Sequence, residues 1–136
     1  MTGSDIAIIY TDGGSRGNPG PAGIGAVITK DGQSVASISE FLGVTTNNVA
    51  EYTALIKALE KSLECGIEKV EVRTDSELMV RQMKGEYRVK NEGLKPLFLK
   101  AQALKNRFAS FAIVHVRREY NKEADRLANQ AMDLGK

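Results

Sequence analysis

The chain opens on Ile6-Ala7-Ile8-Ile9-Tyr10, a nearly continuous apolar run that predicts a short strand buried on both faces, with Asp12-Gly13-Gly14 at its exit. A second run, Gly23 to Thr29, passes through Asp31-Gly32 into Ser34 to Phe41, where apolar residues fall at alternate positions. Asp-Gly between two such runs is a hairpin signal. From Asn47 the period changes: Tyr52, Leu55, Ile56, Leu59 and Leu63 recur at helical spacing, which predicts a helix to Cys65 with Gly66 as its stop.

Lys69 to Thr74 alternates again, with Val70 and Val72 inward, and reads as a strand. Asp75-Ser76-Glu77 starts a helix that runs to about Met83 and ends at Gly85, and Pro96 suits the first turn of another, with Leu97, Ala101, Leu104 and Phe108 on one face. Phe111 to Val116 is a last strand, and Asn121 to Met132 a last helix with Ala124, Leu127, Ala128 and Ala131 facing inward. The order is three strands, helix, strand, two helices, strand, helix. Hairpins make the first three strands antiparallel, whereas strands reached through helical crossovers lie parallel to a neighbour. The expected fold is therefore α/β: a mixed five-stranded sheet, three antiparallel strands then two parallel, flanked by helices.

Composition narrows the class. A chain of 136 residues, 42% hydrophobic and 26% charged, is expected to form one domain over 1–136. No apolar run approaches the roughly 20 residues that span a bilayer, so no membrane association is expected. Asp5 stands where a basic leader would be, and the lone Cys65 suits a reducing compartment; together they point to the cytoplasm. The net charge of +2 hides an asymmetry, because residues 1–60 hold three Lys/Arg against six Asp/Glu, while Arg81 to Arg107 holds eight basic residues against two acidic ones. Such a block either attracts polyanions or forms an ordinary solvated face.

Four acids stand at or near the carboxyl ends of strands or in the first turns of helices, where open sheets of this kind place ligands. Asp12 is expected to end the first strand and Asp75 the fourth, while Glu51 and Asp125 fall early in the first and last helices. Each has a plainer reading: a turn at Asp12, a capping box from Asn48 to Glu51, a helix cap at Asp75, a solvent-facing Asp125. Taken together they point to metal, because converging carboxylates repel one another unless a cation neutralises them. An all-oxygen set selects Mg²⁺ or Mn²⁺ over zinc. His115 is the single histidine and reads as a strand residue, which leaves little for triad chemistry. Thr11 to Gly20 is glycine-rich but lacks the phosphate-loop and dinucleotide spacings, and its glycines would instead let backbone amides approach a ligand.

These motifs resemble those of type 1 ribonuclease H. The matching residues are Tyr10-Thr11-Asp12-Gly13-Gly14, Gly17-Asn18-Pro19-Gly20, Thr46-Asn47-Asn48 with Glu51, Thr74-Asp75-Ser76, and Asn121 with Ala124-Asp125 and Leu127-Ala128. The resemblance implies an endonuclease that cuts the RNA strand of RNA·DNA hybrids and leaves a 5′-phosphate and a 3′-hydroxyl; no obligate protein partner is expected, and the chain reads as a monomer. It makes Asp12, Glu51, Asp75 and Asp125 ligands of two Mg²⁺ ions, with Mn²⁺ as a substitute and Asp12 bridging. It assigns hybrid contacts to Gly13, Gly14, Asn18, Asn47 and Asn48. The basic segment would then meet phosphates without reading sequence. An idle nucleic-acid-binding module and a DNA-acting nuclease on the same scaffold are the alternatives. The chain departs from the family pattern in three places. Arg117-Arg118-Glu119-Tyr120 replaces a histidine-bearing loop, residues 85–95 are short and lack tryptophan, and Glu77 stands where relatives often carry an amide.

Overall fold

The computed structural model describes residues 5–135. Strands β1 (Ile6–Ser15), β2 (Gly20–Lys30) and β3 (Gln33–Thr45) pair antiparallel. On the other side of β1 lie β4 (Lys69–Thr74) and β5 (Ser110–His115), parallel to it and to each other, so the sheet order is β3-β2-β1-β4-β5. Helices α1 (Asn47–Glu64), α2 (Glu77–Met83), α3 (Lys95–Lys105) and α4 (Lys122–Leu134) complete the fold, with one 3₁₀ turn at Arg118–Tyr120. The mixed five-stranded sheet expected from the sequence is present.

Parity along β2 separates the two faces. Ala26 and Ile28 pack with Ala7 and Ile9 of β1 against Tyr52, Leu55 and Leu59 of α1, and Ala101 and Leu104 of α3 close the same core. Full burial of each large side chain here contributes roughly 1.5–3 kcal/mol. The ring edge of Tyr52 meets Phe98 at 6.4 Å between centroids, and its hydroxyl donates to Gln82 Oε1 at 2.8 Å, which ties α1 to α2. Burial pushes the Tyr52 phenol above its usual range.

The odd positions of β2 face α4. A methyl group on Gly25 would collide with the Ala124 carbonyl, and one on Gly23 would come within 2.7 Å of the Ala128 carbonyl. These glycines bring α4 close to the sheet backbone, under Ala124, Leu127, Ala128 and Ala131, the four residues expected inward and found buried.

Two expectations need correction. The opening run is fully buried on one face only: Ala7 and Ile9 are inside, whereas Ile8 and Tyr10 are half-buried. Nor does β1 end at Asp12. It continues to Ser15 in register with β2, Asp12 opposite Gly25, so Gly13 and Gly14 are strand residues and no turn forms there. The physical reason is β2, which pairs with β1 as far as Ser15–Ala22, while the glycine at 13 admits the Ala50 carbonyl of α1 where a side chain would project.

Candidate active site

Asp12 stands one residue beyond the Thr11–Thr74 pair that ends the β1–β4 ladder, and Asp75 directly follows Thr74, so the two strands deliver their carboxylates side by side. Glu51 comes from the first turns of α1. The helix is capped by Thr46, whose side chain accepts from Val49 N–H, so Glu51 does not close a capping box. Its Oε1 instead accepts from Gly13 N–H at 2.9 Å, which pulls the side chain down onto β1. Asp75 is likewise released from capping by Ser76, which accepts from Met79 N–H. Carboxylate oxygens of Asp12, Glu51 and Asp75 lie within 4.8 Å of one another.

Asp125 approaches from the other face. It lines the same cleft, sits close enough to Asp12 to raise its pKa, and receives Arg118 at 3.5 Å. Its helix is anchored by Asn121, buried at the start of α4, whose amide donates across to the Thr11 carbonyl at 2.9 Å. That bond joins the residue before Asp12 to the turn that carries Asp125.

The electrostatics follow from burial with little neutralising charge. Burial, then the charges of Glu51, Asp75 and Asp125, push Asp12 up to about 9. Burial raises Glu51 to about 7 even though Gly13 N–H and Ser76 stabilise its charged form. Asp75 is also raised, chiefly by burial, with Arg118 and His115 pulling the other way. Three carboxyls that resist ionisation alone, with the Asp125 carboxylate beside them, fit a hard divalent cation, which would restore their charge.

The remaining expected residues are arranged as follows. Gly13 and Gly14 line the cleft of about 480 Å³ with Asn47, although the Gly13 amide is already committed to Glu51. Asn18 Oδ1 accepts from Asn47 N–H at 2.9 Å, and Asn47 Oδ1 accepts from Ser15 N–H at 3.3 Å, so the β1–β2 loop and the start of α1 are joined through two asparagines. Asn48 is exposed and outside the cleft lining. Sequence reading missed Arg16, Leu78, Asn129 and Met132, which also line the cleft. Asn129 could have been found, since it lies one helical turn beyond Asp125. Glu77 is on the wall, one oxygen held by Arg81 at 3.0 Å. His115, exposed at the end of β5, borders a separate small cavity against α2.

A family model described as Reverse transcriptase-like matches residues 10–131. The Ribonuclease H of Chromobacterium violaceum is 33% identical over 149 residues, which cover 98% of this chain and 99% of that protein. The chain belongs to the type 1 ribonuclease H family. Within it, the Bifunctional protein Rv2228c of Mycobacterium tuberculosis is 48% identical over 128 residues, and the chain spans 35% of that relative's length. The solved N-terminal RNase H domain of the same protein superposes with a TM-score of 0.94 at 44% identity, covering 97% of this chain and 96% of that one. LC11-RNase H1, solved in complex with an RNA/DNA hybrid, gives a TM-score of 0.88 at 52% identity over 94% of this chain and 97% of that one. Ribonuclease H relatives of this similarity share the fold of this chain.

Proposed function

We propose that residues 1–136 form one ribonuclease H domain that hydrolyses the RNA strand of RNA·DNA hybrids and leaves 5′-phosphate and 3′-hydroxyl ends. The observation that carries this reading is the convergence of Asp12, Glu51 and Asp75 from three elements, with Asp125 beside Asp12. Two Mg²⁺ ions, or Mn²⁺ in their place, would supply water activation and stabilisation of the leaving oxygen. The protein's own contribution is positional. Asp12 is the member common to both groupings, which suits it to bridge, while the Gly13 amide fixes Glu51 and Asn121 fixes the helix that carries Asp125.

Hybrid recognition is supported by the relative solved with such a duplex and by the cleft's surface. A hybrid presents RNA 2′-hydroxyls in a wide, shallow minor groove, and each can both donate and accept. Gly14 and Asn47 line one end of the cleft, Asn18 is tied to it through Asn47 from outside the lining, and these three are assigned to those contacts together with Gly13 and the exposed Asn48. A panel of labelled RNA·DNA, RNA·RNA, DNA·DNA and single-stranded substrates, assayed with Mg²⁺ and with Mn²⁺, tests this. The expected result is cleavage of the RNA strand of the hybrid alone, abolished in Asp12→Asn. Preferred cutting of DNA would overturn the hybrid assignment, and tight binding without cleavage would identify a binding module.

A further inference from the structure

One cation of the cleft has no role in the carboxylate chemistry. Arg16 leaves β1 just after Ser15 and lines the cleft with Gly14, Asn129 and Met132. Its backbone is fixed twice: its N–H donates to the Pro21 carbonyl at 2.8 Å, and Gly20 packs so closely on its carbonyl that a methyl group there would collide. Its side chain reaches α4, where a single nitrogen, Nη2, contacts Asp133 Oδ1 at 2.7 Å, Asn129 Oδ1 at 3.4 Å and the Asn129 carbonyl at 3.5 Å. Nε and Nη1 have no protein acceptor among the described residues. Asp133 is 64% exposed, so the pair is weak and leaves most of the guanidinium's charge to act on a ligand.

Asp125, Asn129 and Asp133 follow one another at intervals of four along one stripe of α4. The Arg16 contacts therefore sit four to eight residues, about 6–12 Å along the helix axis, beyond Asp125. With Nη2 on α4, the guanidinium keeps Nε–H and Nη1 at the rim of the cleft, where each can donate a single charge-assisted hydrogen bond to a phosphate oxygen. We infer that Arg16 is a substrate-binding residue that grips a backbone phosphate of the hybrid two to four nucleotides from the scissile one, taking about 3.4 Å of rise per nucleotide. This rests on the hybrid reading of the cleft. Asp133 and Asn129 touch Nη2 alone, so the phosphate contact does not depend on the exposed Asp133 pair, and because it is to backbone it carries no sequence preference.

The test is hybrid affinity by fluorescence anisotropy in metal-free buffer at several salt concentrations, for the parent, Arg16→Ala, Arg16→Gln and Asp133→Ala. Both Arg16 variants are expected to bind about five- to tenfold more weakly near 0.1 M salt and to lower the salt slope by about one. Asp133→Ala keeps the cation and is expected to keep both the affinity and the slope. If Arg16 only pins the loop to α4, Asp133→Ala will reproduce the Arg16→Ala loss and neither will change the slope, which overturns the inference. A second measurement needs no variant. A neutral methylphosphonate, moved one position at a time along each strand, should weaken parent binding at one position two to four nucleotides from the cut and leave Arg16→Gln unaffected there. Equal responses of the two proteins at every position would also overturn it. A parent that binds and cleaves no hybrid refutes the functional reading itself, a result distinct from either of these.

Discussion

Asp12 is the residue on which the site's energetics turn. Its carboxyl is raised from an ordinary 3.8 to about 9 by burial and by three neighbouring acids, and Glu51 moves the same way to about 7. The unfolded chain releases these protons near pH 4, whereas the folded metal-free protein holds them, so folded stability is intact below about pH 4 and declines as pH rises towards 9. Denaturant titrations in EDTA at pH values between 4 and 9 should show that decline. Asp12→Asn should flatten most of it and raise the metal-free melting temperature, because it removes the most heavily penalised charge. Saturating Mg²⁺ should raise the melting temperature of the parent and leave that of Asp12→Asn much less changed. A parent whose metal-free stability is level across this range would mean that the acids do not share one desolvated site.

At the scale of elements, the site depends on how closely helices approach strands. Gly13 admits the start of α1 and Gly25 admits α4, each at a point where a side chain would meet a helix carbonyl. Gly25 lies opposite Asp12 across the β1–β2 ladder and beneath Ala124, the neighbour of Asp125. Gly25→Ala is therefore expected to push α4 outward, at a cost of about 1–3 kcal/mol and a fall of several degrees in melting temperature. It should also weaken Mn²⁺ binding measured by calorimetry, since Asp125 moves with the helix. Gly32→Ala serves as the control: its position, at positive φ in the β2–β3 turn, is strained, but nothing surrounds it, so it should cost stability and leave metal affinity intact.

For the molecule as a whole, the basic block from Arg81 to Arg107 is less available than its charge suggests. Arg81 is held between Glu77 and Glu86, each at 3.0 Å, and its guanidinium stacks over Tyr87. Lys95 pairs with Glu92, Lys100 with Glu60, and Lys105 lies over Phe111. Lys84, Arg88, Lys90 and Arg107 have no such partner among the described residues, and these are the ones left to meet phosphates. Charge reversal at Lys84, Arg88 or Lys90 should flatten the salt dependence of hybrid binding more than reversal at Lys95 or Lys100. The reverse order would place the hybrid on a different face.

The sequence by itself determined the order and type of the elements. Periods of two and 3.6 residues arise from local backbone geometry, and a buried face records them, as Val70 and Val72 do in β4 and Tyr52, Leu55 and Leu59 in α1. It also singled out the four acids, because their motifs are contiguous in the chain. What each acid does was decided only by tertiary structure. Glu51 has a capping spacing, yet its partner is an amide 38 residues away, and Asp12 has a turn context, yet α1 and β2 hold it in a strand. Local signals give the conformations a segment can adopt alone. Burial, charge repulsion and long-range hydrogen bonds exist only after distant segments meet, and here they converted four separately explicable acids and one loop arginine into a single cleft.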